Sequence, residues 1–231
     1  MEVRRVIFSV PSRRAWAALT LLTVLTGSAL AAPPPSVESA VAAYANNDLS
    51  AAAQGFTYFA RQGDALAEYN LAMMHLRDEL PHANAVVARH LLLQAARQHF
   101  VRAELALGQF YEQGRQHPSG TPDLKQAQHW YQLAAAHGSV DAQVAVGTAF
   151  YLGRGARLDP AQAALWFKQA ANGGDVGAQY LLASMYESGL GVVQDLRLAR
   201  YWYAAAAANG DDAAPFKVKE LDARLSQEPE M

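Results

Sequence analysis

Seven histidines stand at positions 75, 82, 90, 99, 117, 129 and 137, and imidazole is the side chain best suited to hold a transition metal or move a proton near neutral pH. Two histidines share a helical face when they lie three or four residues apart. His75, His82, His90 and His99 are instead separated by seven, eight and nine residues, so spacing offers no metal-ligating pair and they read as surface or half-buried groups. Hydrolytic chemistry has as little support. The chain contains no Ser-x-x-Lys, Gly-x-Ser-x-Gly or His-Glu-x-x-His, the arrangements that activate a serine or a zinc-bound water. Cysteine is absent, which excludes a thiol nucleophile, a thiolate metal site and an acylated lipoprotein cysteine. The glycine pairs Gly153, Gly155 and Gly189, Gly191 lack the preceding strand and the lysine of a phosphate-cradling loop, and read as turns. Trp130, Trp166 and Trp202 resemble aromatic platforms, yet their even spacing fits packing between repeated units better. No enzyme, metal or cofactor is expected.

That spacing leads to the elements that must position these residues. Shifting the chain by 36 residues superimposes Asp123, Asp159 and Asp195, then the three tryptophans, then Ala134-Ala135, Ala170-Ala171 and Ala206-Ala207, then Gly138, Gly174 and Gly210. Ala67, Ala103, Ala142, Ala178 and Ala214 follow in steps of 36, 39, 36 and 36, the long step falling in the loop from Arg115 to Pro122. A period of this size means a solenoid. In each unit one helix begins at a capping Asp or Ser, as from Asp175 to Ser188, and ends at a glycine such as Gly114, Gly153 or Gly189. A second begins at an Asp such as Asp159, with Pro160 next, and carries Ala163, Trp166, Phe167, Ala170 and Ala171 as an apolar stripe stopped by Gly174. Neither helix buries its stripe alone. Small residues at Ala72, Gly108, Gly147 and Ala183 let the pair approach closely, and the aromatics fill the gap to the next pair. The predicted fold is therefore all-α, an α/α superhelical solenoid of antiparallel helix pairs.

The ends differ from the middle. Residues 1–31 read as an export signal: Arg4, Arg5, Arg13 and Arg14, then the apolar run Ala15 to Leu25, then Ala29-Leu30-Ala31, with cleavage expected after Ala31. An uncleaved inner-membrane anchor is the alternative. Arg13-Arg14-Ala15-Trp16 also resembles a twin-arginine export box. Residues 32–47 hold a short helix from Val37 that Ser36 can cap, residues 48–210 form the solenoid, and residues 211–231 form a capping helix and tail in which Pro215 sits in the first turn. Removing the signal takes four of 19 basic and one of 21 acidic residues and leaves a net charge of about −5. A body without a basic cluster argues against nucleic acid. No stable membrane insertion is expected once the signal is cut.

The segments "AQYLLASMYESGLG" and "DLRLARYWYAAAAANG", with "AQVAVGTAFYLGRG" and "DLKQAQHWYQLAAAHG" upstream, resemble the Sel-one-like repeat, a branch of the tetratricopeptide superfamily. The resemblance spans Asp48 to Gly210. In the first unit it departs, with Leu91 and Leu92 in place of the aromatic pair and Asp78 to Asn84 in place of the glycine turn. It implies a scaffold that binds a protein or peptide on its concave face, often in bacterial envelopes; with the export signal and the missing catalytic motifs, the expectation is a non-enzymatic mature chain that is periplasmic or secreted. By the same analogy the first helix of each pair lines the groove, which marks Tyr69, Met73, Gln109, Glu112, Thr148, Tyr151, Tyr180, Ser184 and Glu187 as candidate partner contacts, with Leu76, Leu105 and Val144 beside them. A cell-wall glycan-binding module and a secreted factor acting on host cells are the alternative functions.

Overall fold

The amides that open a helix have no partner within it, and in this chain side-chain oxygens supply most of the missing acceptors. The computed structural model describes residues 36–115 and 119–227. Among these are eleven helices and no strand: α1 (Val37–Ala45), α2 (Leu49–Ala60), α3 (Ala65–Leu76), α4 (Ala85–Arg97), α5 (Val101–Glu112), α6 (Leu124–Ala136), α7 (Val140–Leu152), α8 (Pro160–Asn172), α9 (Val176–Ser188), α10 (Leu196–Ala208) and α11 (Ala214–Leu225). Ser36, Asp48, Asp64, Asn84, Asp123, Ser139, Asp159, Asp175 and Asp195 each accept a hydrogen bond from a first-turn amide. Asp211 does the same for Ala213 and Ala214 ahead of α11. The export-signal residues and His117 lie outside the described residues.

The main contacts run between consecutive helices along the whole order, as a solenoid requires. Four pairs, α3/α4, α5/α6, α7/α8 and α9/α10, repeat one packing scheme. Ala67, Ala103, Ala142 and Ala178 open the first helix of each pair and are fully buried, and so is Ala214 at the start of α11. The two aromatics of the second helix divide their work, which spacing alone did not separate. The first reaches back: Trp130 packs on the cluster of α1 to α5, and Trp166 on the cluster around α6 and α7. The second stays inside its own pair, where Tyr131 lies against Gly108 and Phe167 against Gly147. Both glycines are helical, and a Cβ at either would intrude on the ring. Burying a ring such as Phe167, 1% exposed, contributes about 1.5–3 kcal/mol.

A polar bond recurs beneath each turn between repeats. Buried Glu68 accepts from Gln98 at 3.0 Å, Glu104 pairs with His137 at 2.8 Å, and Gln179 accepts from Asn209 at 3.0 Å. In the third repeat the partner position is Gly173, so Gln143 donates to the Ala135 carbonyl while its Oε1 has no partner. The turns themselves reverse the chain through a left-handed residue. That residue is Gly63, Gly138, Gly174 or Gly210 at four junctions and His99, at φ 58°, between α4 and α5.

Candidate functional site

The candidate contacts do not gather in one place. Met73 of α3 and Gln109 of α5 meet across adjacent repeats in a groove of about 120 Å³, with Leu76, Phe110, Arg77 and Arg115 around them. Glu112 of α5 and Thr148 of α7 meet in a larger groove of about 270 Å³, whose floor and walls include Val144, Ala127, Gln128 and Tyr131. The other five are engaged elsewhere. Tyr69 lies on the Phe100 ring at 5.4 Å and Tyr151 on Phe167 at 6.2 Å. Tyr180 stands edge-on to Tyr203 at 4.9 Å, and Ser184 is half-buried nearby. Glu187 accepts from the Tyr203 hydroxyl at 2.9 Å, Lys217 at 3.0 Å and Arg224 at 3.1 Å, which ties α11 onto α9 and α10.

Glu112, Tyr151 and Glu187 occupy one register of the repeat, and each answers the aromatic opposite. Glu112 accepts from the Tyr131 hydroxyl at 2.6 Å and Glu187 from Tyr203. Where the aromatic is Phe167, which has no hydroxyl, the partner is Tyr151 rather than a carboxylate. Burial, reinforced by the carboxylate, pushes both the Tyr131 and Tyr203 phenols well above the ordinary tyrosine range. Both phenols stay protonated at neutral pH, and the hydrogen bonds they donate fix the rings.

Gln128 is the residue that sequence reasoning missed in the larger groove. It is 7% exposed, and neither its Oε1 nor its Nε2 has a hydrogen-bond partner. The equivalent positions in the other repeats are Arg89, Ala164 and Arg200, and Ala164 packs there 3% exposed with no polar group, so packing alone does not ask for an amide here. An unpartnered buried polar atom costs about 1–3 kcal/mol. Asp141 and Arg154, both exposed, add one charge of each sign to the lining. The repeat alignment gave no signal for it, because Arg89 and Arg200 stand at the same register and a long polar residue there is ordinary.

Four consecutive segments, residues 65–100, 101–139, 140–175 and 176–211, match the Sel1 repeat. The chain belongs to the Sel1 repeat family. The match places the helix pairs described above one to a repeat, and the second Sel1 repeat is the one lengthened by the loop before Asp123. A Sel1 repeat protein from Oxalobacter formigenes is 34% identical, with a TM-score of 0.67 over 74% of this chain and 49% of its own. A protective antigen of uropathogenic Escherichia coli strains displaying an SLR fold is 22% identical, with a TM-score of 0.47 over 77% of this chain and 45% of its own. The chain thus spans about half the length of these two proteins. No curated protein matches it. Sel1 repeats form a non-catalytic scaffold fold, and proteins built from them are generally protein-interaction scaffolds. No helix among the described residues is long and apolar enough to cross a membrane.

Proposed function

We propose that this Sel1 repeat protein is a non-enzymatic docking scaffold of the bacterial cell envelope that holds a partner polypeptide in the groove between α6 and α7. The observation that carries the reading is Gln128. A primary amide offers one acceptor and two donor hydrogens, the complement of the C=O and N–H of a peptide unit, and here both ends are buried without a partner at the groove, where a turn of the side chain would present them to a bound peptide. At about 270 Å³ the groove falls below the range of small-molecule pockets, about 300–1,000 Å³. It suits one apolar side chain with its peptide bond, seated over Val144, Ala145 and Tyr131. The envelope location rests on the basic, apolar and small-residue order of residues 1–31.

The test uses a photo-crosslinking residue at Thr148 in cells, with and without Gln128→Ala. Because Ala164 already stands at this register, Gln128→Ala keeps the helix pair and melts at the native temperature or above it. The crosslinked partner is captured by the native groove and lost from the variant. Equal capture by both would refute the groove. Fractionation decides the compartment separately: a chain retained in the cytoplasm at full length would overturn the envelope assignment and leave the groove standing.

A further inference from the structure

We propose that His99, Glu104 and His137 form a binding site for a divalent transition-metal ion, with zinc as the reference ion, at the junction of the first and second Sel1 repeats. The three residues come from three places: the turn between α4 and α5, the first turn of α5, and the C-terminal cap of α6. One ligand atom from each lies within 4.8 Å of the other two. His137 Nδ1 is 2.8 Å from Glu104 Oε2 and 3.0 Å from Oε1. The His99 ring stands edge-on to the His137 ring, 5.3 Å away at 83°.

Two imidazoles and a carboxylate are a donor set for zinc and its first-row neighbours. Ligand atoms about 2.0–2.2 Å from one tetrahedral ion lie about 3.3 Å apart, so the Glu104–His137 pair needs only to part slightly and the exposed His99 ring to swing inward. Glu104 is 2% exposed and His137 has 34% of its side chain exposed. The carboxylate therefore forms the floor and the imidazoles the open side, which leaves a path in and a position for water.

Comparison with the other repeats isolates what is special here. At the same three registers they carry Gly63, Glu68 and Gln98; Gly138, Gln143 and Gly173; and Gly174, Gln179 and Asn209. A hydrogen-bonded pair beneath the turn needs only the last two residues of each set, as Gln179 and Asn209 demonstrate. It does not need a histidine at the turn. His99 stands there in a left-handed conformation at φ 58°, which strains any residue with a Cβ and which glycine takes freely. The strained histidine, the buried carboxyl group and the second histidine occur together at this junction alone among the described repeats.

The repeats also supply the test. In the full chain, untagged and stripped with chelator, His99→Gly, Glu104→Gln and His137→Asn each install a residue that another repeat tolerates at that register. Calorimetric titration with zinc chloride gives one ion per native chain at micromolar or tighter affinity. Each variant binds about 100-fold more weakly or worse, since loss of a ligand exceeds the 10–100-fold effect of outer-sphere changes. Cobalt(II) bound to the native chain absorbs in the visible, and the band is absent from the variants. Without metal, His99→Gly melts no lower than the native protein, so lost binding is not lost folding. Absence of zinc binding by the native chain at micromolar concentration would overturn the proposal. So would undiminished binding by His99→Gly and His137→Asn, which would place the ion on other histidines.

Discussion

Gly147→Ala tests the packing scheme where it is tightest. A Cβ on Gly147 would sit 2.8 Å from Cδ1 and Cε1 of Phe167 and 3.3 Å from Cγ, against an optimal carbon separation of about 3.5–4.0 Å. The ring must therefore retreat by about 0.7 Å or more. It has little room, being 1% exposed and edged by Tyr151 at 6.2 Å. Overpacking of this kind costs about 1–3 kcal/mol, while alanine in place of a mid-helix glycine returns about 1 kcal/mol. Strain prevails because the ring is enclosed, and a net loss of up to about 2 kcal/mol is expected, which lowers Tm by up to about 8 °C for a chain of this size. Gly177→Ala in α9 is the control, since its Cβ would meet only Asp175 Oδ1 at 3.4 Å; it melts at or above the native temperature. Adding Phe167→Leu to Gly147→Ala recovers part of the loss, reproducing the Ala72 and Leu92 combination that the first repeat carries. Thermal melts by circular dichroism read all four proteins. If Gly147→Ala is as stable as Gly177→Ala, the ring is not seated on that glycine and the scheme is wrong.

The remaining predictions concern charge and backbone. Burial, and then the Asp64 charge, raise the Glu68 carboxyl above its ordinary range, and the Gln98 hydrogen bond only partly opposes them. The folded state therefore favours the protonated acid. The resulting stability is complete below the unfolded pKa of about 4.3 and is lost as pH rises through the higher folded value. Glu68→Gln keeps an acceptor for Gln98, removes that slope, and is more stable than the native chain at pH 7; an unchanged difference in Tm between acid and neutral pH would contradict it. A Cβ at Gly191, φ 74°, would strike the Pro160 carbonyl, whereas one at Gly174, φ 89°, meets nothing within 4 Å. Gly174→Ala accordingly costs only the left-handed penalty of about 1–2 kcal/mol, and Gly191→Ala costs more, by urea titration. Glu187→Gln loosens α11 by roughly 1 kcal/mol at low salt and less at high salt, seen as faster amide exchange in α11 alone.

The features legible in the sequence were those decided within one helix and its ends. Asp159, Asp175 and Asp195 cap because the amides they serve are two or three residues away, and Pro160 and Pro215 sit where no amide is needed. Even the irregular first repeat obeys local rules: Asp78 takes the left-handed position at φ 57°, and Asn84 caps α4 through Val86 and Val87. What stayed hidden needed a second element. Whether an aromatic faces its own pair or the preceding one, as Tyr131 and Trp130 do, depends on the approach of helices that periodicity does not supply. The convergence of His99, Glu104 and His137 is invisible to spacing along a helix because they sit on three elements. Gln128 was not legible at all, since Arg89 and Arg200 share its register and only the fold shows that its amide is buried without a partner.

In the second, third and fourth repeats the turn between the two helices closes on the same main-chain bond, from the amide of Asp123, Asp159 or Asp195 to the carbonyl of Tyr111, Phe150 or Tyr186, at 2.9 Å in all three. In the second repeat that bond spans three more residues than in the third and fourth, yet the distance is unchanged. Length added between these fixed points is thus mechanically silent. A reporter peptide, a protease site or a foreign epitope grafted after Gly114 would ride on the solenoid while the closing bond from Asp123 to Tyr111 holds α5 and α6 as they are.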